Sequence, residues 1–152
     1  MTIYSIASAC HRNQKFEDER YINHLSRVSK KVAAVFRTED KDANYLLHDT
    51  AWLKDVFVMT GCSIETIHSR LSRYHLYDRM MEALEAISQK QGEQDSDYFE
   101  RCSRNPIALK VKIAETMVKV EERIKYQDIR MAKFYTDRLN MLLSIYEEKQ
   151  FD

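Results

Sequence analysis

The sequence predicts an all-α protein, a bundle of about seven or eight helices formed by one domain over residues 1–152. Three observations predict this fold class. The 152 residues include only 2 glycines and 1 proline, the residues that most often interrupt helices. Hydrophobic residues make up 44% of the chain and charged residues 32%, which suits helices with one buried and one solvated face. Alternating apolar runs bounded by tight-turn dipeptides, which are typical of strands, are nearly absent.

Apolar spacing and cap residues define the predicted helices. Ser63 and the pair Asn105-Pro106 are typical helix starts, and Gly61 is a typical end. The segment 43–59 is the most apolar, which predicts a central position for it. A charged loop is expected at 15–20. In order, the predicted helices are 1–14, 21–36, 43–59, 63–71, 74–89, 97–103, 106–124 and a last one from after Tyr126 to about Tyr146.

Charge and cysteine content restrict the partners and the compartment. Lysine plus arginine and aspartate plus glutamate each total 24, so the basic surplus that nucleic-acid-binding domains usually have is missing. No stretch has the length and apolarity of a membrane span or a signal peptide. Cys10, Cys62 and Cys102 are odd in number and far apart. We therefore expect reduced thiols in the cytoplasm, without a disulfide framework or a thiolate zinc site.

Polar residues at apolar positions are the candidates for chemistry. His48 and Asp49 end the apolar run in YLLHDTAW, His24 lies on the apolar face of 21–36, and Glu115 interrupts VKIAETM. Such groups are hydrogen-bonded within a core, or they bind a metal. For any one of them alone, ordinary hydrogen bonding is the commoner explanation. Because three separate helices each present a ligand type, a divalent metal site at His24, His48, Asp49 and Glu115 is the competing hypothesis.

Three motifs in sequence order resemble a known family. ACHRNQKFEDERYINHLSRV resembles AHxGQxRKxGxPYIxHPxxV, and YLLHDT resembles ALLHDxxEDT. YFERCSRNPIALKVKIAETM resembles YxxRxxxNPxAxxVKLADLxxN. In these motifs the chain is similar to the HD-domain phosphohydrolases, in particular to the hydrolase domain of RelA/SpoT-type alarmone enzymes.

The resemblance implies a single divalent ion, typically manganese, held by His24, His48, Asp49 and Glu115. In that family the metal-bound water attacks a phosphate or pyrophosphate ester, and ppGpp is the substrate of the alarmone hydrolases. Asp49 is then also a catalytic residue. The residues expected to contact a nucleotide similar to ppGpp are Lys15, Phe16, Lys112 and Lys119.

The chain also departs from the family pattern. Glu115 replaces the last aspartate ligand, and Trp52 and Leu53 stand at the acid–base pair of the family. Asp55, one turn beyond Trp52, is the candidate for a partial catalytic substitute. The departures also include Phe16 and Glu17 at the guanine-contacting Arg-Lys, Lys119 at a motif asparagine, and extra residues between Leu53 and Cys62.

Two functions therefore stay open. The first is a metal-dependent phosphohydrolase that is similar to ppGpp 3′-pyrophosphohydrolases. The second is a catalytically weakened HD-like protein that binds a nucleotide or a protein partner without turnover. An unrelated helical adaptor without a pocket is disfavoured, because it leaves VKIAETM and LLHD unexplained. The sequence leaves homo-oligomer formation open.

Overall fold

In the computed structural model, which describes residues 2–150, the chain folds into a helical bundle, and the all-α prediction is confirmed. The described residues form nine helical segments, one of which is a single turn. No helix among them combines the length and the apolarity that crossing a bilayer requires. The helices are α1 (Thr2–Cys10), α2 (Tyr21–Phe36), α3 (Lys41–Leu53), α4 (Val56–Met59), α5 (Ile64–Leu71), α6 (Tyr77–Ile87), α7 (Asp95–Ser103), α8 (Pro106–Lys125) and α9 (Ile129–Gln150).

The predicted charged loop between α1 and α2 contains a small antiparallel hairpin. Strand β1 (Lys15–Phe16) pairs with β2 (Glu19–Arg20). Glu17, in the turn, has a φ of 53°, a left-handed conformation that side-chain-bearing residues rarely adopt. The hairpin places Phe16 against α2, where its ring stacks on the His24 imidazole with 5.4 Å between centroids.

The helix predicted over 43–59 is interrupted. α3 ends at Leu53, and Lys54 and Asp55 form a turn before α4. No glycine or proline lies at this break. Instead, tertiary contacts hold the turn, because the Lys54 ammonium is buried against the carboxylates of Asp55 and Glu115. Helix propensity alone does not detect a break of this kind.

The predicted caps are confirmed. Ser63 accepts a hydrogen bond from the Thr66 amide at 3.3 Å at the start of α5. Asn105 accepts one from the Ala108 amide at 3.0 Å, and Pro106 is the first residue of α8. A side-chain cap of this kind stabilises a helix by about 1 kcal/mol.

α3 lies between two apolar clusters. Leu47 and Ala51 belong to the cluster that includes residues of α2, α7, α8 and α9. Leu46 and Leu53 belong to the cluster with α1, α5 and α6. Because α3 buries two faces and packs against α1, α2, α6 and α8, its predicted central position is confirmed. This position brings the end of α3 next to α2 and α8.

The cysteines differ from the prediction. Cys10 and Cys62 form a disulfide with 6.0 Å between their Cα atoms, across a sequence separation of 52. The bond links the end of α1 to the connection between α4 and α5, so the expectation of reduced thiols is wrong for these two residues. Their distant positions form no recognisable motif. Cys102 is free and buried in α7, and burial raises the pKa of its thiol to about 11.

We expect the double variant Cys10→Ser/Cys62→Ser to lose about 2–4 kcal/mol of unfolding free energy, because the cross-link restricts the unfolded chain. Urea denaturation followed by circular dichroism measures the loss. A reductant should bring the wild type to the stability of the variant and leave the variant unchanged. Thiol titration of the denatured, unreduced wild type should detect Cys102 alone. Three reactive thiols would contradict the disulfide.

Candidate functional site

Three side chains with metal-ligand chemistry meet inside the bundle. His24 of α2, Asp55 of the α3–α4 turn and Glu115 of α8 each place one nitrogen or oxygen atom within 4.8 Å of the others. His24 and Glu115 are buried, and Asp55 is half-buried. The structure therefore brings together His24 and Glu115, two of the four predicted ligands, with Asp55 as the third member of the group. We call these three residues the acidic cluster.

A lysine lies within the acidic cluster. Lys54 is only 3% exposed, and its ammonium contacts both the Asp55 and the Glu115 carboxylate. Two further ammonium groups face Glu115: Lys112 Nζ lies 2.7 Å from its Oε1, and Lys119 Nζ lies 3.9 Å from the same oxygen. Both oxygens of the Glu115 carboxylate therefore have a cation against them.

Electrostatics keeps this network ionised. Burial opposes the charge on Lys54, but Asp55 and Glu115 raise the pKa of its ammonium well above the ordinary 10.5. Burial likewise opposes the charge on Glu115, but Lys112, Lys119 and Lys54 together hold its pKa well below 4.5. The pKa of Asp55 is also lowered, because Lys54 outweighs burial and the neighbouring Glu115. At neutral pH the network is a set of paired charges.

Neighbouring side chains hold His24 and Asp55 of the acidic cluster in place through hydrogen bonds. The His24 Nδ1 atom lies 2.7 Å from Glu122 Oε2, and Arg27 donates to the same oxygen at 2.7 and 3.0 Å. The Tyr21 hydroxyl donates to Asp55 Oδ2 at 2.6 Å. A carboxylate behind an imidazole is also the usual support of a metal-binding histidine.

The residues present do not fit a resident divalent metal. A dication needs the carboxylate oxygens of Asp55 and Glu115, and the Lys54 ammonium already contacts both groups. Lys112 and Lys119 add two more positive charges near Glu115. A divalent ion would therefore enter a cluster whose two carboxylates are already neutralised, against the repulsion of three ammonium groups.

The structure does not assemble the predicted ligand set, because His48 and Asp49 do not join His24 and Glu115. The His48 side chain is 52% exposed, and its Nδ1 lies 2.9 Å from Asp49 Oδ1. Asp49 Oδ2 accepts a hydrogen bond from the Tyr74 hydroxyl at 2.7 Å. The Lys54-Asp55 pair follows the His48-Asp49 pair by six positions, an offset of roughly 120° around a helix of 3.6 residues per turn. The two pairs therefore lie on different faces.

Trp52 and Leu53 are structural. Leu53 is completely buried, and the Trp52 indole N–H points to His48 Nε2 at 3.1 Å. Of the two predicted catalytic residues, Asp55 lies in the acidic cluster and Asp49 lies in the hydrogen-bonded group of His48 and Tyr74.

The predicted substrate-contacting residues separate into two groups. Phe16 and Lys119 line one small cleft of about 320 Å³ beside Glu122 and Arg123. Lys15 is exposed on β1. Lys112 lies against Glu115, with its ammonium 5.4 Å from the Tyr98 ring centroid. The structure therefore brings Phe16 and Lys119 together at this cleft, places Lys112 beside Lys119 at the Glu115 carboxylate, and leaves Lys15 elsewhere.

Sequence reasoning missed Lys54 and Glu122. The sequence contains an indication of each residue. Lys54 interrupts the apolar run AWLKDVFVM, and Glu122 lies seven residues after Glu115, on the same helix face. Compared with protein-family models and with curated proteins, the chain matches none of them. Any family assignment therefore depends on the residues of this chain.

We expect Lys54→Met to lower the unfolding free energy at neutral pH by about 3–5 kcal/mol, because it leaves buried carboxylates without their main cation. Urea denaturation measures the change. Lys30→Met, at an exposed position of α2, is the matched control and should stay near the wild type. Equal stability of the two variants would mean that the Lys54 contacts contribute little.

The low pKa of Glu115 predicts a pH dependence. The unfolded chain takes up a proton near the ordinary value of 4.5, and the folded protein keeps Glu115 ionised well below it. This contribution to stability is present above pH 4.5 and is lost as the pH falls towards the folded-state pKa. We expect Lys54→Met/Glu115→Gln, which removes one charge of each sign, to lose less stability than the wild type between pH 6 and pH 3. Parallel slopes would contradict the pKa direction.

Proposed function

We propose that this chain is an HD-like helical domain that binds a nucleotide or a protein partner without hydrolysing it. The observation that supports this proposal is the Lys54 ammonium, which occupies the space between Asp55 and Glu115. A lysine in that place supplies positive charge but no activated water, which is what a catalytic metal would supply.

A second register of the family motif supports the proposal. Aligned to the pattern LLHDxxEDT, residues 52–60, which read WLKDVFVMT, agree at Leu53, Asp55 and Thr60. In this register Lys54 and Asp55 stand at the His-Asp pair, and Asp55 is the residue that meets His24 and Glu115. In the first alignment the chain has extra residues between the His-Asp pair and the next helix. In this register the chain has no such extra residues.

In the same register, the positions of the acid–base residues hold apolar side chains. Val58 and Met59 take the place of the Glu-Asp pair of the family, and both are exposed apolar side chains. Neither can accept or donate a proton. Lys54 at a ligand position and two apolar residues at the acid–base positions both favour binding over hydrolysis.

The metal-dependent phosphohydrolase is the second candidate function. The support of His24 by Glu122 favours it, because a metal-binding histidine is usually oriented in this way. For this candidate function we predict a bound manganese ion, a substrate similar to ppGpp and formation of a homo-oligomer. The predicted cytoplasmic location conflicts with the Cys10–Cys62 bond, because disulfides are rare in reducing compartments.

Metal uptake distinguishes the two candidates. After treatment with a chelator and dialysis against excess Mn²⁺, we expect the wild type to contain almost no manganese by elemental analysis. Lys54→His, which introduces a ligand in place of the ammonium, should gain near-stoichiometric manganese, and Lys54→His/Asp55→Asn should lose it.

Near-stoichiometric manganese in the wild type that disappears in Asp55→Asn would overturn the proposal and favour the phosphohydrolase. The variant His48→Ala/Asp49→Ala is the matched control, because these residues lie outside the acidic cluster. If manganese binds to the wild type and is lost only in His48→Ala/Asp49→Ala, the ligand set predicted from the sequence would be correct.

A further inference from the structure

A cleft of about 920 Å³ opens between α1, α3 and α5, away from the acidic cluster. None of His24, Asp55 and Glu115 lines it. We call it the tyrosine cleft. Its volume lies in the range that small-molecule sites usually have. The side chains that matter here are three tyrosines and three cations: Tyr4, Tyr45, Tyr74, Arg37, Lys41 and Arg70.

Three exposed cations line the tyrosine cleft. Arg37 lies at the end of α2, Lys41 begins α3, and Arg70 lies in α5; all three are exposed. Within residues 2–150, their side chains make no ion pair or hydrogen bond. Among the residues that line the cleft, Asp49 is the one acidic residue beside these three cations. Such a group of cations attracts an anion, and arginine forms paired hydrogen bonds to phosphate oxygens.

The acidic residue in the tyrosine cleft does not neutralise these cations. Asp49 is buried, and its two oxygens accept hydrogen bonds from Tyr74 and contact His48. Asp42, nearby on α3, lies 3.3 Å from His75. Both carboxylates are therefore engaged with residues other than the three cations.

The tyrosines offer flat apolar surface. Tyr4 and Tyr45 are 49% and 55% exposed, which is high for large aromatic side chains. Tyr74 is held by its hydroxyl group, which donates to Asp49. Such a ring can stack on the face of any nucleobase, because every base has a π-face.

A hydrogen-bonded series of side chains fixes one wall of the cleft. The Tyr74 hydroxyl binds Asp49, Asp49 contacts His48, and His48 accepts from the Trp52 indole. Trp52 in turn packs edge-on against Tyr4 with 5.2 Å between ring centroids. These contacts hold two of the three tyrosines in place before a ligand arrives, which reduces the entropy that binding must overcome.

We propose that the tyrosine cleft binds a phosphorylated ligand with a planar ring, of the class of nucleoside monophosphates. The phosphate is held by Arg37, Lys41 and Arg70, and the ring stacks on Tyr45, the most exposed of the three tyrosines. This inference rests on the proposed binding function and gives it a site and a ligand class. Its residues are separate from Lys54 and the acidic cluster.

The chain contains its own reporter for this test. Trp52 is the single tryptophan, and it contacts both Tyr4 and His48 of the cleft. Purified protein is titrated with AMP, GMP, CMP and UMP in the presence of a chelator, and tryptophan fluorescence is followed. We expect saturable binding of at least one nucleotide. The matching nucleoside and inorganic phosphate should each bind at least about tenfold more weakly, because each lacks one of the two contacts.

Variants locate the ligand. We expect Arg70→Ala and Tyr45→Ala each to weaken nucleotide binding about tenfold or more, from the loss of a charge-assisted contact and of a stacking surface respectively. Arg79→Ala is the matched control, because Arg79 is exposed on α6 and lies outside the cleft. Its dissociation constant should equal that of the wild type.

Three outcomes would overturn the inference: no saturation at millimolar nucleotide, equal affinity for nucleoside and nucleotide, or an unchanged dissociation constant in Arg70→Ala and Tyr45→Ala. These failures concern the cleft alone, because the titration excludes metal and Lys54 is untouched. Chromatography of the mixture, repeated with Mn²⁺ in place of the chelator, tests the binding function separately. Nucleotide turnover that disappears in Asp55→Asn would contradict that function and leave the cleft measurement valid.

Discussion

The contact of the Lys54 ammonium with the Asp55 and Glu115 carboxylates is the constraint on which the site depends. An isolated buried ammonium is strongly unfavourable, so Lys54 requires both carboxylates to be ionised. Glu115 in turn requires its lysine neighbours to stay ionised inside the bundle. Because Lys54 directly follows the last residue of α3 and Glu115 lies in α8, this mutual requirement fixes the relative position of the two helices. The break between α3 and α4 follows from it.

The predictable parts of this structure are those that depend on neighbours in sequence. The caps at Ser63 and at Asn105 involve residues three positions apart, and both are visible in the sequence and present in the fold. His24 and Glu115 were also found, because a polar residue on an apolar helix face is itself a local signal. Asp55, the third member of the cluster, was proposed as a catalytic residue, but the ammonium group of Lys54 beside it was not predicted. The position of Lys54 depends on where α3 ends, and a tertiary ion pair decides that end.

The pair His48-Asp49 shows that the type of a residue does not by itself determine its role in the structure. Its composition suggests a metal ligand, but its place on α3 turns it towards Tyr74 and Trp52. A polar pair at the end of an apolar run is explained here by hydrogen bonds, the commoner of the two alternatives. Asp55, six residues after Asp49, occupies the position near His24 that the sequence analysis predicted for the His48-Asp49 pair.

The disulfide has a consequence for the shape of the molecule beyond its effect on unfolding. Cys10 ends the helix that contains Tyr4, and Cys62 lies just before the helix that contains Arg70. Two helices that line the tyrosine cleft are therefore linked by a bond that lies outside the cleft. The distance between these helices has an upper limit while the bond is intact, and reduction of two remote sulfur atoms widens the range of motion of the cleft.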